Sequence, residues 1–460
     1  MVRPLTHLKR FITGWKGMLA IAVAAGAVLW HLLACVESPM AFSPSGDLAF
    51  VTMEPYEGKD LILAGPNCYR LMVLPKGGKA VRVIEETVDA MLTAPAYSPD
   101  GQQLAYLRIP LLSEQQAQQV KEDIDTRKAA MEKAASQPAT SGPSADQPEH
   151  SEIMSLPPVD KVSEFYVRAF TSPLHPATLV VRDAKTDTVL SKTTIEVPMF
   201  AASGSGYFLT AYLLTRPQYS PDGKWVYFCL ADMVMAVNPT EKKQRVLAAP
   251  ADVSALSPDG KTVAILKEPA IGFADTDGER VLYRRWAQPS SLSGIGWFDN
   301  QTLAMISGKG EDPNKPRTLV LNLVRKDGGE VKAEELAVQL ESHGEGQVEL
   351  AVAPDRKHIV IASEGQLFFL NGEGKVLNKI ESPKQPESQP PQKPSEGFYQ
   401  PTFTPDSKQV AFKVASGERN GVSAIAFFSP EGKELSRVSV PAIKPGTTRP
   451  ASMPTTGPKP

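Results

Sequence analysis

The chain has 460 residues, and its 49 Lys and Arg residues against 51 Asp and Glu residues give a formal net charge of −2. Binding to nucleic-acid phosphates needs a surplus of positive charge, so this balance argues against a nucleic-acid-binding protein. Apolar residues make up 42% and charged residues 22%, which is typical of a globular protein. Three cysteines in this length exclude a disulfide scaffold, and the length exceeds one ordinary domain of ~150 residues.

The N-terminus has the pattern of a membrane-targeting or membrane-anchoring segment. Residues 1–17 carry four basic and no acidic side chains, and no charged residue occurs from Gly17 to Val36. A run of this length, at ~1.5 Å per helical residue, can cross a hydrocarbon core of ~30 Å. The basic flank stays in the cytoplasm, so the rest of the chain is expected outside it. We predict that residues 1–36 are a membrane signal, with the remainder extracytoplasmic (periplasmic) in a bacterial cell envelope.

The end of this run leaves the type of anchor open. The segment Leu32-Leu33-Ala34-Cys35 resembles the bacterial lipobox, in which the cysteine is lipidated and becomes the mature N-terminus, although His31 is unusual beside it. Cys35 is therefore a candidate lipidation site. The alternatives are an uncleaved signal anchor and a conventional cleaved signal peptide.

A short motif recurs along the rest of the chain. The clear copies are AFSPSGDLAFV from Ala41, AYSPDGQQLAYL from Ala96, QYSPDGKWVYFC from Gln218, ALSPDGKTVAIL from Ala255 and TFTPDSKQVAFK from Thr402. Two weaker copies are AVAPDRKHIVIA from Ala351 and GWFDNQTLAMIS from Gly296. The copies around Pro221, Pro258 and Phe298 follow one another at close to the ~40-residue period of a four-stranded propeller blade.

The motif has the chemistry of a tight hairpin turn. Proline presets φ, aspartate hydrogen-bonds locally and glycine supplies a left-handed position. Asn300 is also able to adopt that conformation. Arg356 and Ser407 suit it less well, which suggests a different turn in the sixth and seventh copies. The predicted turn residues are Pro44, Gly46, Pro99, Asp100, Gly101, Pro221, Asp222, Gly223, Pro258, Asp259, Gly260, Pro354, Asp355, Pro405 and Asp406.

The strands after these turns have the apolar pattern of strands that are buried on both faces. Runs such as Trp225–Leu230 and Ile359–Ala362 are almost continuously apolar, whereas a strand with one face in water would alternate. The chain resembles the TolB-like, WD40-like β-propeller family with the S-P-D-G-K repeat, over roughly residues 38–440. The resemblance implies an all-β propeller. Members of that family have six blades, whereas seven copies predict seven four-stranded blades here.

Insertions and a tail interrupt the propeller expected over residues 37–440. The longest insertion, residues 110–162, begins with a predicted helix from Ser113 to about Ala135 and continues as a Pro/Ser-rich segment predicted to be disordered. The helix has a narrow apolar stripe that could dock on the ring or bind a partner. The proline-rich segments 382–395 and 441–460 are expected to be a stiff linker and a disordered tail.

No motif predicts a catalytic, cofactor-binding or metal site. Gly204-Ser205-Gly206 lacks the G-x-S-x-G spacing of a nucleophile elbow. Residues 275–279 begin like a calcium loop but fit better as a hairpin turn. Cys68 and Cys229 could form a disulfide outside the cytoplasm, although Cys229 is better explained as a buried apolar residue.

Three functional hypotheses follow. The first is a non-enzymatic, envelope-anchored module that binds unidentified envelope proteins. The second is an enzyme or small-ligand binder with its site in the central channel, and the third is a purely structural role. The long segments fall between the second and third strands of a blade or between blades, which puts them on one face. A partner would bind there if these loops are functional; otherwise insertions have accumulated where the scaffold tolerates them.

Overall fold

The fold is described from a computed structural model. Its described residues are 39–55, 67–110, 174–198, 216–230, 233–248, 251, 253–267, 270–277, 281–285, 295–309, 317–327, 330–342, 348–363, 366–381, 397–415 and 422–442. The chain divides into two compact units, Met1–Val36 and Glu37–Pro460, and all described residues belong to the second. Cys35, the helix predicted from Ser113, Gly204–Gly206 and the tail from residue 443 lie outside them.

Seven antiparallel sheets follow one another along the chain, which confirms an all-β propeller of seven blades. In six of them four consecutive strands pair in sequence order, with the first strand innermost. We call the strands of a blade a, b, c and d from the channel outward. The seven copies of the motif therefore correspond to seven blades, each with its motif between strands a and b.

The strand bounds are as follows. Blade 1 contains β1 Ala41–Phe42, β2 Leu48–Pro55, β3 Asn67–Leu74 and β4 Arg82–Thr87. Blade 2 contains β5 Ala90–Leu92, β6 Ala96–Tyr97, β7 Gln103–Pro110, β8 Leu174–Asp183 and β9 Val189–Pro198. Blade 3 contains β10 Gln218–Tyr219, β11 Val226–Leu230, β12 Met233–Asn238 and β13 Lys243–Ala248. Blade 4 contains β14 Val253–Leu256, β15 Thr262–Lys267, β16 Ala270–Asp275 and β17 Val281–Arg285. Blade 5 contains β18 Ile295–Trp297, β19 Thr302–Lys309, β20 Arg317–Asp327 and β21 Glu330–Ser342. Blade 6 contains β22 Val348–Val352, β23 His358–Ser363, β24 Gln366–Asn371 and β25 Val376–Glu381. Blade 7 contains β26 Gly397–Phe403, β27 Val410–Ala415, β28 Val422–Phe428 and β29 Glu434–Ser439.

Blade 2 departs from the four-stranded pattern. Its inner position holds two short strands, β5 and β6, which both pair with β7. Pro95 lies between them and has no amide hydrogen to donate, so the ladder is interrupted there. The blade is thus four-stranded in layout, with a broken inner strand.

The middle strands are buried on both faces, as their continuous apolar sequences indicate. Every residue of β11 and β12 is buried. Neighbouring blades share apolar clusters, so each sheet is covered on both sides; one such cluster joins β23, β24 and the inner part of blade 7. The outer strands face solvent, and the first four residues of β29 are exposed. Sheet-on-sheet burial is therefore the main stabilising contribution in the ring.

Four of the motif turns are closed by a serine or threonine as well as by the residues singled out in the sequence. Ser220 Oγ donates to Asp222 Oδ1 at 2.5 Å and accepts the backbone N–H of Trp225 at 2.9 Å. The same pair of bonds recurs at Ser98, Ser257 and Thr404. This hydroxyl holds the pKa of Asp222 below its usual range. The hydroxyl residue of S-P-D-G is thus a structural part of the turn.

The expectation of a different turn in blades 6 and 7 is wrong. Arg356 and Ser407 adopt positive φ values of 64° and 60°, like the 71° of Gly260. The same backbone bond closes the turn, from Arg356 N to Ala353 O at 2.8 Å and from Ser407 N to Thr404 O at 2.9 Å. The turn's hydrogen bonds and neighbours outweigh the ~1–2 kcal/mol cost of a left-handed non-glycine residue.

Blade 5 has the divergent turn instead. Asn300, expected to be left-handed, is not among the residues with positive φ. Here Asp299 Oδ1 accepts the backbone N–H groups of Gln301 and Thr302, both at 2.7 Å, which makes an Asx-type turn.

The motif turns of neighbouring blades touch one another. A Cβ added at Gly260 would lie 2.2 Å from Pro221 Cδ of the preceding blade, and one at Gly101 would lie 3.1 Å from Pro44 Cδ. Between blades 4 and 5 the link is a hydrogen bond of 3.1 Å from Asp259 N to Asn300 Oδ1. Glycine is therefore required at position 260 for close approach as well as for positive φ.

No strand is exchanged across the ring closure, because blades 1 and 7 each consist of four consecutive strands in the described chain. The two blades meet through an apolar cluster that includes Phe50 and Met72 of blade 1 and Ile425 of blade 7. At the outer edge, Arg70 donates to the carbonyl oxygen of Pro441 at 3.0 Å and pairs with Glu86 at 2.6 Å. Side-chain packing thus closes the ring.

Within the part of the chain described here, no helix is long and apolar enough to cross a membrane. The uncharged run from Gly17 to Val36 lies outside that part. The membrane assignment therefore stays a prediction from sequence.

Candidate functional site

The strand order separates two faces of the ring. Strand a leads into the motif turn, so the a–b and c–d connections leave one face, which we call the tight-turn face. The b–c and d–a connections leave the opposite face, which we call the loop face. On the tight-turn face the longest connection joins β3 to β4 and covers residues 75–81.

Every connection longer than seven residues belongs to the loop face. The b–c connections of that length are residues 56–66 and 111–173, and the shorter b–c connection 310–316 leaves the same face. The d–a connections include residues 199–217 and 382–396. The prediction that these segments share a face is confirmed by the strand order.

The inner strands make the channel wall nearly free of charge. Of the residues in the described inner strands, Glu349 in β22 is the only one with a charged side chain. Arg216 stands two residues before β10, the inner strand of blade 3. Inner strands begin at the loop face, so both residues lie toward that end of the channel.

Glu349 is held by an irregular segment of the next blade. Glu349 Oε2 accepts the backbone N–H of Gln400 in β26. Gln400 has a φ of 57°, and the pairing of β26 with β27 shifts register between Tyr399 and Thr402. This bulge turns the Gln400 amide out of the ladder and toward the carboxylate.

Arg216 and Glu349 interact across the channel. Their blades, 3 and 6, are not neighbours in a ring of seven, so the two groups can meet only through its centre. Arg216 acts electrostatically on Glu349, and no ion pair or hydrogen bond of Arg216 is found among the described residues. Two opposite charges thus belong to the loop-face ends of the inner strands of blades 3 and 6.

Burial disfavours the charged forms of both Glu349 and Arg216. Burial raises the pKa of the Glu349 carboxyl, while the Gln400 amide, Arg216 and Lys413 act in the opposite direction. Burial also lowers the pKa of Arg216, and Glu349 partly offsets this. Both residues keep partial solvent exposure, as expected for groups that line a narrow opening. A ligand that neutralised each charge would relieve an existing cost.

The turn residues predicted from the sequence lie together on the tight-turn face. Among them, Pro44, Gly101, Pro221, Asp259 and Gly260 form the contacts between blades described above. The channel residues Arg216, Glu349 and Gln400 were not predicted. They come from three distant segments, and none belongs to a recurring motif. The one indication in the sequence is that Glu349 is a single acidic residue in an otherwise neutral inner strand.

The other sequence candidates have structural explanations. Asp275 ends β16 at the hairpin turn predicted for blade 4, and its carboxylate pairs with Lys326 at 2.5 Å. Cys68 and Cys229 lie in blades 1 and 3 and are not joined by a disulfide. Burial, followed by the charge of Glu86, raises the pKa of the Cys68 thiol to about 11. Across the described ranges, no group of three or more His, Cys, Asp or Glu side chains could hold a metal ion.

No family model and no curated protein matches this chain. Among solved structures it resembles a chain of the mitotic checkpoint complex, with a TM-score of 0.48 and 10% identity over 84% of this chain and 86% of that chain. It also resembles a prolyl endopeptidase, with a TM-score of 0.46 and 12% identity over 93% of this chain and 53% of that chain.

A third similar structure is TolB from Acinetobacter baumannii, with a TM-score of 0.32 and 15% identity over 66% of this chain and 55% of that chain. The chain thus spans about half the length of the prolyl endopeptidase and of TolB. These likenesses concern the fold. On its own strand order, the chain is a seven-bladed β-propeller, and its structural neighbours include TolB.

Proposed function

We propose that this chain is a non-enzymatic interaction module that binds a protein partner of the cell envelope on its loop face. One observation supports the proposal most directly: every connection longer than seven residues leaves this face, and no connection of the opposite face exceeds that length. Loops held by a rigid scaffold are where binding residues are concentrated in proteins. The described inner strands contain one carboxylate and no histidine, so these strands offer few side chains for acid–base catalysis.

We further propose that residues 17–36 anchor the propeller to the membrane on the extracytoplasmic side. The support is the uncharged run after four basic residues. After cell lysis, full-length chain is expected in the membrane fraction, and recovery in the soluble fraction would contradict the anchor. The variant Cys35→Ala separates the two types of anchor. It abolishes lipid labelling if Cys35 is lipidated, and it leaves attachment unchanged without any label if the segment is a helix.

The docking proposal can be tested by comparing variants of the two faces. In one, a short Gly-Ser linker replaces the loop-face connection 111–173. In the matched control, Lys224→Glu and Lys375→Glu reverse two exposed charges of the tight-turn face. Partner capture by crosslinking from membranes should be lost in the first variant and kept in the second. Loss only in the second variant would overturn the assignment.

A second candidate function is binding of a small ligand in the channel. The observation that favours it is the pair of opposed charges, Arg216 and Glu349, in an otherwise uncharged channel wall. Ligand sites in closed β folds are commonly found at such central openings.

A further inference from the structure

We propose that Asn371 is a site of spontaneous covalent modification, at which the folded chain converts the asparagine to aspartate or isoaspartate through a succinimide. The pair Asn371-Gly372 opens the turn between strands c and d of blade 6, on the tight-turn face. Three neighbouring groups supply the chemistry: the side-chain amide, the next backbone nitrogen, and the N–H groups that bind the amide oxygen. Docking at the loop face does not depend on this site.

The turn holds the oxygen of the Asn371 amide. Asn371 Oδ1 accepts the backbone N–H of Glu373 at 3.1 Å and that of Lys375 at 2.8 Å. The backbone closes the same turn, from Asn371 N to Lys375 O and from Gly374 N to Asn371 O, both at 2.9 Å. The amide nitrogen Nδ2 makes no hydrogen bond with a described residue, and Asn371 is partly exposed. The amide nitrogen is therefore open to water.

Gly372 provides the nucleophile. Its backbone nitrogen is separated from Asn371 Cγ only by the atoms C, Cα and Cβ of Asn371, so attack closes a five-membered ring within the chain. The nitrogen gives its proton to water, the N–Cγ bond forms, and Nδ2 takes up a proton and leaves as ammonia. Water then adds to one of the two succinimide carbonyls, and opening of the ring gives aspartate or isoaspartate.

The two hydrogen bonds to Oδ1 assist the first step. When the Gly372 nitrogen attacks Cγ, negative charge develops on Oδ1 in the tetrahedral intermediate. The N–H groups of Glu373 and Lys375 already point at this oxygen, so they stabilise the charge where it forms. The turn therefore supplies the electrophile with its oxyanion donors in place.

Packing requires glycine at the second position of the pair. A Cβ added at Gly372 would lie 2.4 Å from the carbonyl oxygen of Arg356, in the motif turn of the same blade. Glycine permits this close approach of two backbone segments. The absence of a side chain also leaves the attacking nitrogen unhindered. The contact that requires glycine thus creates the reactive pair.

The corresponding turn of blade 3 lacks the nucleophile. Asn238 Oδ1 accepts the backbone N–H groups of Thr240 and Glu241 at 3.1 Å and 2.9 Å, in the same arrangement. The next residue is Pro239, whose nitrogen carries no hydrogen to lose. Asn238 should therefore be inert, although its amide oxygen is held in the same way.

Asn371 is the only asparagine among the described residues that precedes a glycine. The sequence contains a second such pair, Asn420-Gly421, which lies outside the described residues. Blade 7 builds its turn without asparagine: Ser429 takes the first position, and Gly432 N donates to Ser429 O at 2.9 Å. Serine is thus an unreactive residue that the same kind of turn accepts.

Blade 2 shows that an aspartate product fits this kind of turn. Asp183 Oδ1 accepts the backbone N–H groups of Lys185 and Thr186 at 2.9 Å and 2.7 Å. These bonds, that of Thr186 foremost, hold the pKa of Asp183 below its usual range. The aspartate product should therefore keep the turn and add one negative charge to the tight-turn face. Isoaspartate lengthens the backbone by one carbon atom and should disturb the pairing of β24 with β25, because turn length fixes the register of a hairpin.

The test incubates the folded full-length chain in detergent and H₂¹⁸O at neutral pH, and then maps its peptides by mass spectrometry after digestion in ordinary water. The peptide that contains Asn371 should lose ammonia and gain one ¹⁸O atom. Its rate of conversion should lie within tenfold of the rate in the urea-unfolded chain. Asn238 is the control in the same sample and should not react. Asn371→Ser, which copies Ser429, should abolish the acidic species that co-elutes with the Asn371→Asp protein in ion-exchange chromatography.

Three results would overturn the proposal: no labelled product at position 371, a rate in the folded chain more than tenfold below that in the unfolded chain, or equal conversion of Asn238. The Asn420 peptide is resolved separately, so it does not contribute to the measured rate. If Asn371→Ser does not fold, the peptide map of the unmodified chain still decides between these results.

Discussion

Lys413 in the seventh blade donates a hydrogen bond of 2.7 Å from Nζ to the carbonyl oxygen of Val51 in the first blade. Lys413 is fully buried. Strand β1 pairs only with Leu48 and Ala49, so Val51 has no inner-strand partner among the described residues. With no exchanged strand to close the ring, the ammonium provides a polar link across the seam, in addition to the bond from Arg70 to the carbonyl oxygen of Pro441.

Shortening Lys413 should therefore weaken the contact between blades 1 and 7. We expect Lys413→Ala to lower the free energy of unfolding by about 2–4 kcal/mol, because it removes a buried stem and leaves the Val51 carbonyl unsatisfied. Lys413→Met keeps the stem and should cost less. Lys375→Ala, at an exposed lysine, should change stability by no more than ~0.5 kcal/mol. Chemical denaturation measures all three, and equal stability of the Lys413 and Lys375 alanine variants would contradict the role of the seam.

Contacts between turns predict that two left-handed glycines differ in their tolerance of alanine. Gly260 has a φ of 71° and would place a Cβ 2.2 Å from Pro221 Cδ, whereas Gly77 has a φ of 67° and nothing within 4 Å. Gly77→Ala should cost about 1–2 kcal/mol for the left-handed backbone alone. Gly260→Ala should cost a further ~1–3 kcal/mol from overpacking.

A double variant isolates the contact from the backbone effect. Pro221→Ala combined with Gly260→Ala removes the clashing Cδ, so the two changes should be less harmful together than the sum of their separate effects. Melting temperatures give both comparisons. Equal losses at Gly77 and Gly260 would show that the turns are independent of one another.

Neutralising the channel carboxylate should stabilise the fold above acidic pH. A carboxyl whose pKa is higher in the folded chain binds protons more strongly there, so the free energy of unfolding falls as pH rises above its unfolded value near 4.5. The loss is complete once pH exceeds the raised folded pKa. Glu349→Gln should remove this loss while keeping an acceptor for the Gln400 N–H. Its melting temperature should match that of the unmodified chain at low pH and exceed it increasingly as pH rises; an equal or lower value at pH 8 would contradict the prediction.

Residues 137–158 should be dispensable for folding. They lie outside the described residues, within the b–c connection of blade 2, and are poor in apolar side chains. Each doubling of a flexible loop's length changes the closure free energy by only about 0.6 kcal/mol, so deletion should shift stability by less than this. Thermal unfolding followed by circular dichroism checks it. A loss of several kcal/mol would mean that the segment packs on the ring.

The sequence predicts much of the fold because a propeller repeats a local signal. Seven copies of one turn, each followed by a strand that is apolar on both faces, were sufficient to predict seven blades. They were also sufficient to assign each connection to the tight-turn face or the loop face of the ring. The errors concern single turns. Arg356 and Ser407 take the glycine conformation because bonds within the turn and to the next blade fix it, for example from Asp355 N to Ser407 Oγ at 2.9 Å. Propensity alone does not contain those bonds.

The candidate site could not be predicted in the same way. Arg216, Glu349 and Gln400 belong to one end of the channel because a closed ring brings the loop-face ends of distant strands to one axis. Their juxtaposition depends on blade number, and the bulge at Gln400 depends on pairing with β27. No local pattern encodes either property. The repeat therefore predicts the scaffold, while the residues that distinguish this propeller from others lie outside the repeat.

The central claim, that a protein partner binds the loop face, is tested most directly by photo-crosslinking in intact cells. A photo-reactive amino acid is placed at Asp89 or Ala442, at loop-face ends of strands, or at Lys224 or Lys375 on the tight-turn face; all four positions are exposed. We expect one discrete crosslinked protein from the loop-face positions and none from the tight-turn positions. Crosslinks to the same protein from Lys224 and Lys375, with none from Asp89 or Ala442, would contradict it.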